Sequence, residues 1–325
     1  MDARREPLPQ SGGQVDLAYG DQHATAVEVG GALRTYATGE RDVLDSYAVD
    51  EMCSGARGQS LIPWPNRLQD GRYTFDDEER QLSLTEPEKQ NAIHGLVRWA
   101  NWTVAERDRD RAVMEHLLHP QPGYPFALEL SIEYRLSDEG LRVTTTATNV
   151  GAGACPYAAG AHPYLIVGTP TIDAVTVRAP GRVRLPTDER GIPTGAEPVD
   201  GTEYDFREPR MLGDTRLDTG YAELDRDGDG LARVELAAPG GVGATLWMDA
   251  GYPYLMLFTG DSLPEPERRR RSLGVEPMTC APNAFRSGEG LRALEAGESF
   301  TASWGIMPSS AIQPVDPGPG TRTRL

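Results

Sequence analysis

Phe126-Ala127-Leu128-Glu129-Leu130-Ser131-Ile132-Glu133-Tyr134-Arg135-Leu136 is the stretch on which the fold reading rests. Its apolar residues are Phe126, Leu128, Leu130, Ile132, Tyr134 and Leu136, and Glu129, Ser131, Glu133 and Arg135 lie between them. A period of two sends one set of side chains to a core and the other to solvent, which is the pattern of a half-buried strand. The same alternation recurs at Val242, Ala244, Leu246 and Met248, and at Phe300, Ala302, Trp304 and Ile306. Leu141 to Asn149 is rich in Thr and Val and also reads as a strand. No long segment carries a 3.6-residue period. Gly (36) and Pro (26) punctuate the whole chain and suit many short strands joined by turns. The expected fold is therefore mainly β, with antiparallel sheets packed face to face.

Nothing in the composition marks an internal domain boundary. Pro180 to Arg210 is turn-rich but contains Val183, Leu185 and Ile192, so it is kept within one domain. The expected organisation is a flexible N-terminal arm over residues 1–19, a single domain over 20–310, and a disordered Pro/Gly-rich tail over 311–325.

The chain has 32 Lys+Arg against 49 Asp+Glu, a net charge of −17. That field disfavours nucleic acid and anionic membrane, which both require a basic footprint. Lys89 is the only lysine, and there is no Gly-Lys-Ser/Thr run, which excludes a P-loop. No apolar run approaches the length of a membrane span, and the polar Met1–Gln14 segment does not read as a secretory signal. Cys53, Cys155 and Cys280 are odd in number and far apart. They match neither a zinc spacing nor a disulfide framework, and they fit a reducing cytoplasm.

His94 and His162 are flanked by small residues, in Asn91-Ala92-Ile93-His94-Gly95 and Gly160-Ala161-His162-Pro163-Tyr164. Each reads as a structural imidazole or as one facing a cleft. His116 and His119 fall on opposite faces of a strand and lack a third partner, so no metal is expected there. Asp225-Arg226-Asp227-Gly228-Asp229-Gly230 resembles the start of a calcium loop, but its twelfth position is Leu236. It reads as an acidic hairpin turn. Arg268 to Arg271 reads as a solvated loop, with phosphate binding as the alternative. In Gly274 to Phe285, Glu276 stands alone between Val275 and Pro277. Apolar surroundings raise a carboxylate's pKa and suit it to act as a base, although a helix cap or a surface Glu also fits the composition.

Taken together these segments resemble the aldose 1-epimerase (galactose mutarotase) family. Asn66-Arg67-Leu68 with Gly71-Arg72-Tyr73, Asn91 to Gly95, Ala161-His162-Pro163-Tyr164, Asp218-Thr219-Gly220-Tyr221 and Glu276 to Phe285 follow the family's motifs in order. The resemblance implies a galactose mutarotase-like β-supersandwich and interconversion of the α and β anomers of a free aldohexose. It also implies Glu276 as general base, His162 as general acid, and His94, Arg67 and Asp218 as substrate-binding residues. The implied enzyme is a cytoplasmic monomer or homodimer with a small-molecule sugar as its partner, and it needs no cofactor and no metal. Leu96 replaces the second Gly of the usual His-Gly-Gly, Leu165 follows His-Pro-Tyr where Phe is usual, and Pro63-Trp64-Pro65 precedes Asn66. Trp64 to Trp102 is closer to a bacterial branch of aldose 1-epimerase-like proteins. Glucose and galactose are thus default sugars, beside a modified hexose such as a sulfonated glucose. Trp64, Trp99 and Trp102 are candidates either to stack on the sugar or to fill the core. A non-catalytic carbohydrate-binding protein and a hexose-6-phosphate 1-epimerase are the alternatives.

Overall fold

The computed structural model describes residues 8–309. Among them the strand signal dominates, and the α-helix is a single turn at Ala284–Ser287. In Leu128–Ser137, the residues Leu128, Leu130, Ile132, Tyr134 and Leu136 are all buried, as the alternation requires. This strand pairs with Arg111–Leu118 on one side and Gly140–Asn149 on the other, inside a nine-stranded antiparallel sheet. Ser299–Ser309 adds to Gly140–Asn149 and then to Gly243–Met248. The Thr-rich stretch is explained by its outer face. Thr144, Thr146 and Thr148 share hydroxyl hydrogen bonds of 2.8–2.9 Å with Ser303, Thr301 and Ser299 directly opposite.

A second, eight-stranded sheet includes Gly181–Leu185, Asp218–Leu224, Tyr254–Phe258, Leu273–Met278 and the short pieces Gly160–Ala161 and Ser60–Leu61. A four-stranded sheet forms the N-terminal part. One apolar cluster draws on all three sheets, from Val15 to Ile306. The fold is the mainly β supersandwich that the sequence led us to expect.

Two local expectations are corrected. Gln14–Tyr19 is a strand, so the N-terminal arm does not extend to residue 19. Val15 and Leu17 alternate with Gln14 and Asp16 and are buried, and Gly20-Asp21 turns the chain into Gln22–Val27. Residues 1–7, and the tail expected over 311–325, lie outside the described residues. The acidic Asp225–Gly230 segment is a turn but not a hairpin. It carries the chain from Asp218–Leu224 in the eight-stranded sheet to Ala232–Ala237 in the nine-stranded one. The Asp227 carboxylate accepts from the Asp229 and Leu231 amides (3.0 Å each) and pairs with Arg233.

Candidate active site

Every residue of strand Leu273–Met278 is buried, and Glu276 is its one carboxylate. On one side Met256 lies opposite Glu276. On the other, Gly160 pairs with Met278 and Tyr164 with Gly274, both in the same antiparallel register. That register sets His162 across from Glu276. Pro277 offers no N–H, and the chain leaves regular strand geometry between Ala161 and Tyr164. His162 Nε2 lies 3.2 Å from Glu276 Oε1, with both side chains almost fully buried. One strand further on, Asp218 lies opposite Phe258, which lies opposite Gly274. Directly opposed residues project to the same side of a sheet, so Asp218, Phe258, Glu276, His162 and Tyr164 share one face.

Arg67 and His94 enter from a separate two-stranded ladder, Arg67–Gln69 with Asn91–Ile93. Asn66 and His94 both adopt left-handed backbone (φ 55° and 61°). The His94 amide donates to Asn66 O, and the Asn66 amide donates to His94 Nδ1 at 3.1 Å. Accepting at Nδ1 places the proton of neutral His94 on Nε2, as a donor. Gly95 follows at φ 72°, where a Cβ would meet Ile62 O at 2.0 Å, so only glycine fits. Leu96 lies outside the left-handed region, and its amide donates to Ile62 O at 2.7 Å.

Arg67 Nε and Nη2 bind both oxygens of Glu86, at 2.9 and 3.1 Å, and Nη1 lies 3.6 Å from Asp218. Glu86 also accepts from Asn91 Nδ2 at 3.0 Å. Arg67, His94, His162, Asp218 and Glu276 all line one cavity of about 510 Å³. All five sequence candidates therefore meet in one place. Burial is the main force on the acid–base groups. It raises Glu276 well above the usual carboxylate range, with Asp218 adding to the rise and Arg67 opposing it. It lowers His162 to about 3, reinforced by the charges of Arg98 and Arg57. His94 is lowered by burial and then by Arg98, His162 and Arg67, which keeps it a neutral donor.

The sequence matches the aldose 1-epimerase family model over residues 14–306. The chain belongs to the aldose 1-epimerase family. It is 32% identical to the Escherichia coli protein YihR over 290 residues, which is 89% of this chain and 91% of that one. It is also 32% identical to a maltose epimerase of Levilactobacillus brevis over 181 residues, about half of each chain (51% and 52%). In fold it is similar to the GalM/aldose epimerase homologue of C. elegans. That TM-score is 0.82, with 17% identity over 92% of this chain and 99% of the other.

Within this family framework, the sequence reading missed the groups that hold the site together. Glu86 is the main partner of Arg67, yet nothing local in Leu84-Thr85-Glu86-Pro87 announces it. Asn283, within the Pro-Asn-Ala-Phe run, does not line the cavity. Its Oδ1 accepts from the Gln69 amide (3.0 Å) and its own amide donates to Arg67 O (2.8 Å), which pins the strand carrying Arg67. Gly191 packs against that guanidinium, where a Cβ would come within 2.6 Å of Nη1. None of the three candidate tryptophans lines the cavity. Trp64 and Trp102 are buried, Trp64 against Phe285, and Trp99 is exposed elsewhere. The aromatic rings that do line it are Tyr164 and Phe258. Arg268 to Arg271 is solvated only in part: Arg269 and Arg271 are exposed, but all four side chains are engaged within the chain. Arg268 and Arg271 reach buried Asp45 (3.4 Å each), Arg268 also reaches Glu51, Arg269 donates to Leu263 O, and Arg270 binds Asp173 and Asp261. His116 is also accounted for: Nδ1 lies 3.1 Å from Asn101 O and the ring packs on Trp102. All three cysteines are buried and free. Among the described residues, no helix is long and apolar enough to cross a membrane, and no His/Cys/Asp/Glu group is gathered for a metal.

Proposed function

We propose that this protein is a mutarotase that interconverts the anomers of a free aldohexose, with Glu276 and His162 as its acid–base pair. The observation that carries this reading is the 3.2 Å Nε2–Oε1 contact between two buried titratable groups in one cavity with Arg67, His94 and Asp218. Ring opening requires a proton to leave the anomeric hydroxyl and another to reach the ring oxygen as the C1–O bond breaks. Glu276 takes the first and His162 gives the second. Rotation about C1–C2 presents the other face of the aldehyde, and closure runs both transfers backwards.

The two protonation forms this cycle requires are related by proton transfer. Carboxylate with imidazolium is ready to open the ring, and carboxylic acid with neutral imidazole is left after opening. Burial favours the second form, because it carries no charge. Neutral His94 donates from Nε2, Arg67 supplies the guanidinium edge not used by Glu86, and Asp218 accepts at the cavity mouth.

Arg98 bears on the identity of the sugar. It lines the cavity, and burial is the main force on its charge, lowering its pKa. A guanidinium with no carboxylate partner among the described residues suits a hexose carrying an acidic substituent. This observation favours a modified hexose over glucose or galactose. The internal pairing of Arg268 to Arg271 argues against that run as a phosphate site.

Exchange NMR of anomers, measured above the spontaneous rate on a panel of neutral, phosphorylated, carboxylated and sulfonated hexoses, tests the proposal. Acceleration of at least one sugar, lost in Glu276→Gln, is expected. A wild type that binds a sugar without accelerating its exchange would replace the mutarotase with a binding protein.

A further inference from the structure

The His162 imidazole lies flat on the ring of Tyr164, with centroids 4.8 Å apart and planes 20° from parallel. The Tyr164 hydroxyl donates to Gly55 O at 2.9 Å, which fixes the ring. The Arg57 guanidinium lies over the same ring at 4.7 Å. Arg57 is itself almost fully buried. Its Nε faces Asp45 at 3.3 Å, its Nη1 donates to Ser54 O and Oγ, and its Nη2 has no partner among the described residues. Asp45 does not neutralise it fully, because the same carboxylate also serves Arg268, Arg271 and Ser272. A locked and incompletely compensated cation thus stands near His162, with an aromatic ring contacting both.

We infer that Arg57 is a positioning residue for His162, acting through the Tyr164 ring to orient the imidazole and to make its protonated form a stronger acid. The orienting part follows from the stack, which leaves Nε2 aimed at Glu276. The acid-strengthening part follows from charge. A fixed cation disfavours a second cation nearby, so the imidazolium gives up its proton to the ring oxygen more readily. The other charged or titratable groups around His162 are Glu276 opposite it, His94 edge-on at 5.4 Å, Arg98 on the loop after His94, and Asp218 across the cavity. None of them touches the face of the imidazole that Tyr164 covers in the way Arg57 reaches it, through a stacked ring. The inference rests on the assignment of His162 as the acid.

The test is Arg57→Gln beside Arg57→Lys. Removing the cation should let the pair hold its protons more firmly, moving both limbs of the rate–pH profile upward by about one unit. Loss of the orienting contact on the Tyr164 ring should lower kcat by about tenfold while KM changes little. Arg57→Lys keeps the charge and should keep the limbs in place. If Arg57→Gln does not fold, Tyr164→Leu leaves the Arg57–Asp45 pair intact and should lower kcat by a similar factor. NMR titration of the His162 ring in the folded variants reads the same effect without turnover. It therefore remains decisive even if no sugar is accelerated. Unchanged limbs and an unchanged His162 titration in Arg57→Gln would overturn the inference, as would full kcat in Tyr164→Leu.

Discussion

Glu276 and His162 stand opposite one another in a single antiparallel register, in contact at 3.2 Å, although the strand that carries His162 is broken at that point. Two groups so placed titrate as a unit. The rate–pH profile should be bell-shaped, with limbs that belong to the pair. Glu276→Gln and His162→Asn should each lower turnover by about 10²–10⁴. The double variant should lose far less than the product of the two. Fully multiplicative losses, measured by anomer-exchange NMR, would mean that the groups act in separate steps.

The same burial should make the wild type less stable than it could be. The folded pKa of Glu276 is raised above its ordinary 4.5, so above pH 4.5 the unfolded chain binds fewer protons and stability falls as pH rises. Glu276→Gln should therefore be more stable than wild type at pH 7–8. The gain should shrink towards zero as pH falls to 4.5, with a slope of at most about 1.4 kcal/mol per unit. His162 acts in the opposite sense. Its folded pKa is depressed, so between about 3 and 6.5 stability rises with pH. Denaturant melts of wild type and Glu276→Gln across pH 4–8 check this, and a variant less stable at every pH would contradict it.

Glu86 should act on sugar affinity through Arg67. Glu86→Ala frees the guanidinium from its two-point grip. KM should rise by about tenfold, in keeping with a charged hydrogen bond, with kcat changed by less than about threefold. Adding Arg67→Ala should cost little more than Arg67→Ala alone. Independent losses in the double variant would show that Glu86 meets the sugar itself.

Asp227 should be irrelevant to both catalysis and calcium. Its oxygens serve two amides and Arg233. Asp227→Asn should leave anomer exchange unchanged, and calcium should not raise the melting temperature of either form. Activity should likewise survive EDTA. Loss in EDTA with recovery on adding a divalent ion would require a metal that the proposed mechanism does not use.

Much of the fold was legible because alternation is local. The buried row from Leu128 to Leu136 and the Thr-rich strand beside it were readable from period and composition alone. The strand Gln14–Tyr19 does not stand out in the sequence because Val15 and Leu17 supply only two buried positions, too few without the partner strand. The acidic turn was legible as a turn, but a crossover between sheets differs from a hairpin only in where its flanking strands pair.

The sequence by itself determined the alternating strands and, through ordered motifs, five of the side chains that line the cavity. Both are written in short runs of neighbouring residues. Only the tertiary structure decided what surrounds those five. Glu86 rather than a sugar occupies most of Arg67, Asn283 braces rather than binds, and no tryptophan reaches the cavity. Asp45 gathers Arg268 from 223 positions away. Such contacts depend on which strands become neighbours, and short-range periodicity carries no record of that. The packing of the sheets around one core sets which charges are buried, and burial in turn sets which groups hold or release a proton.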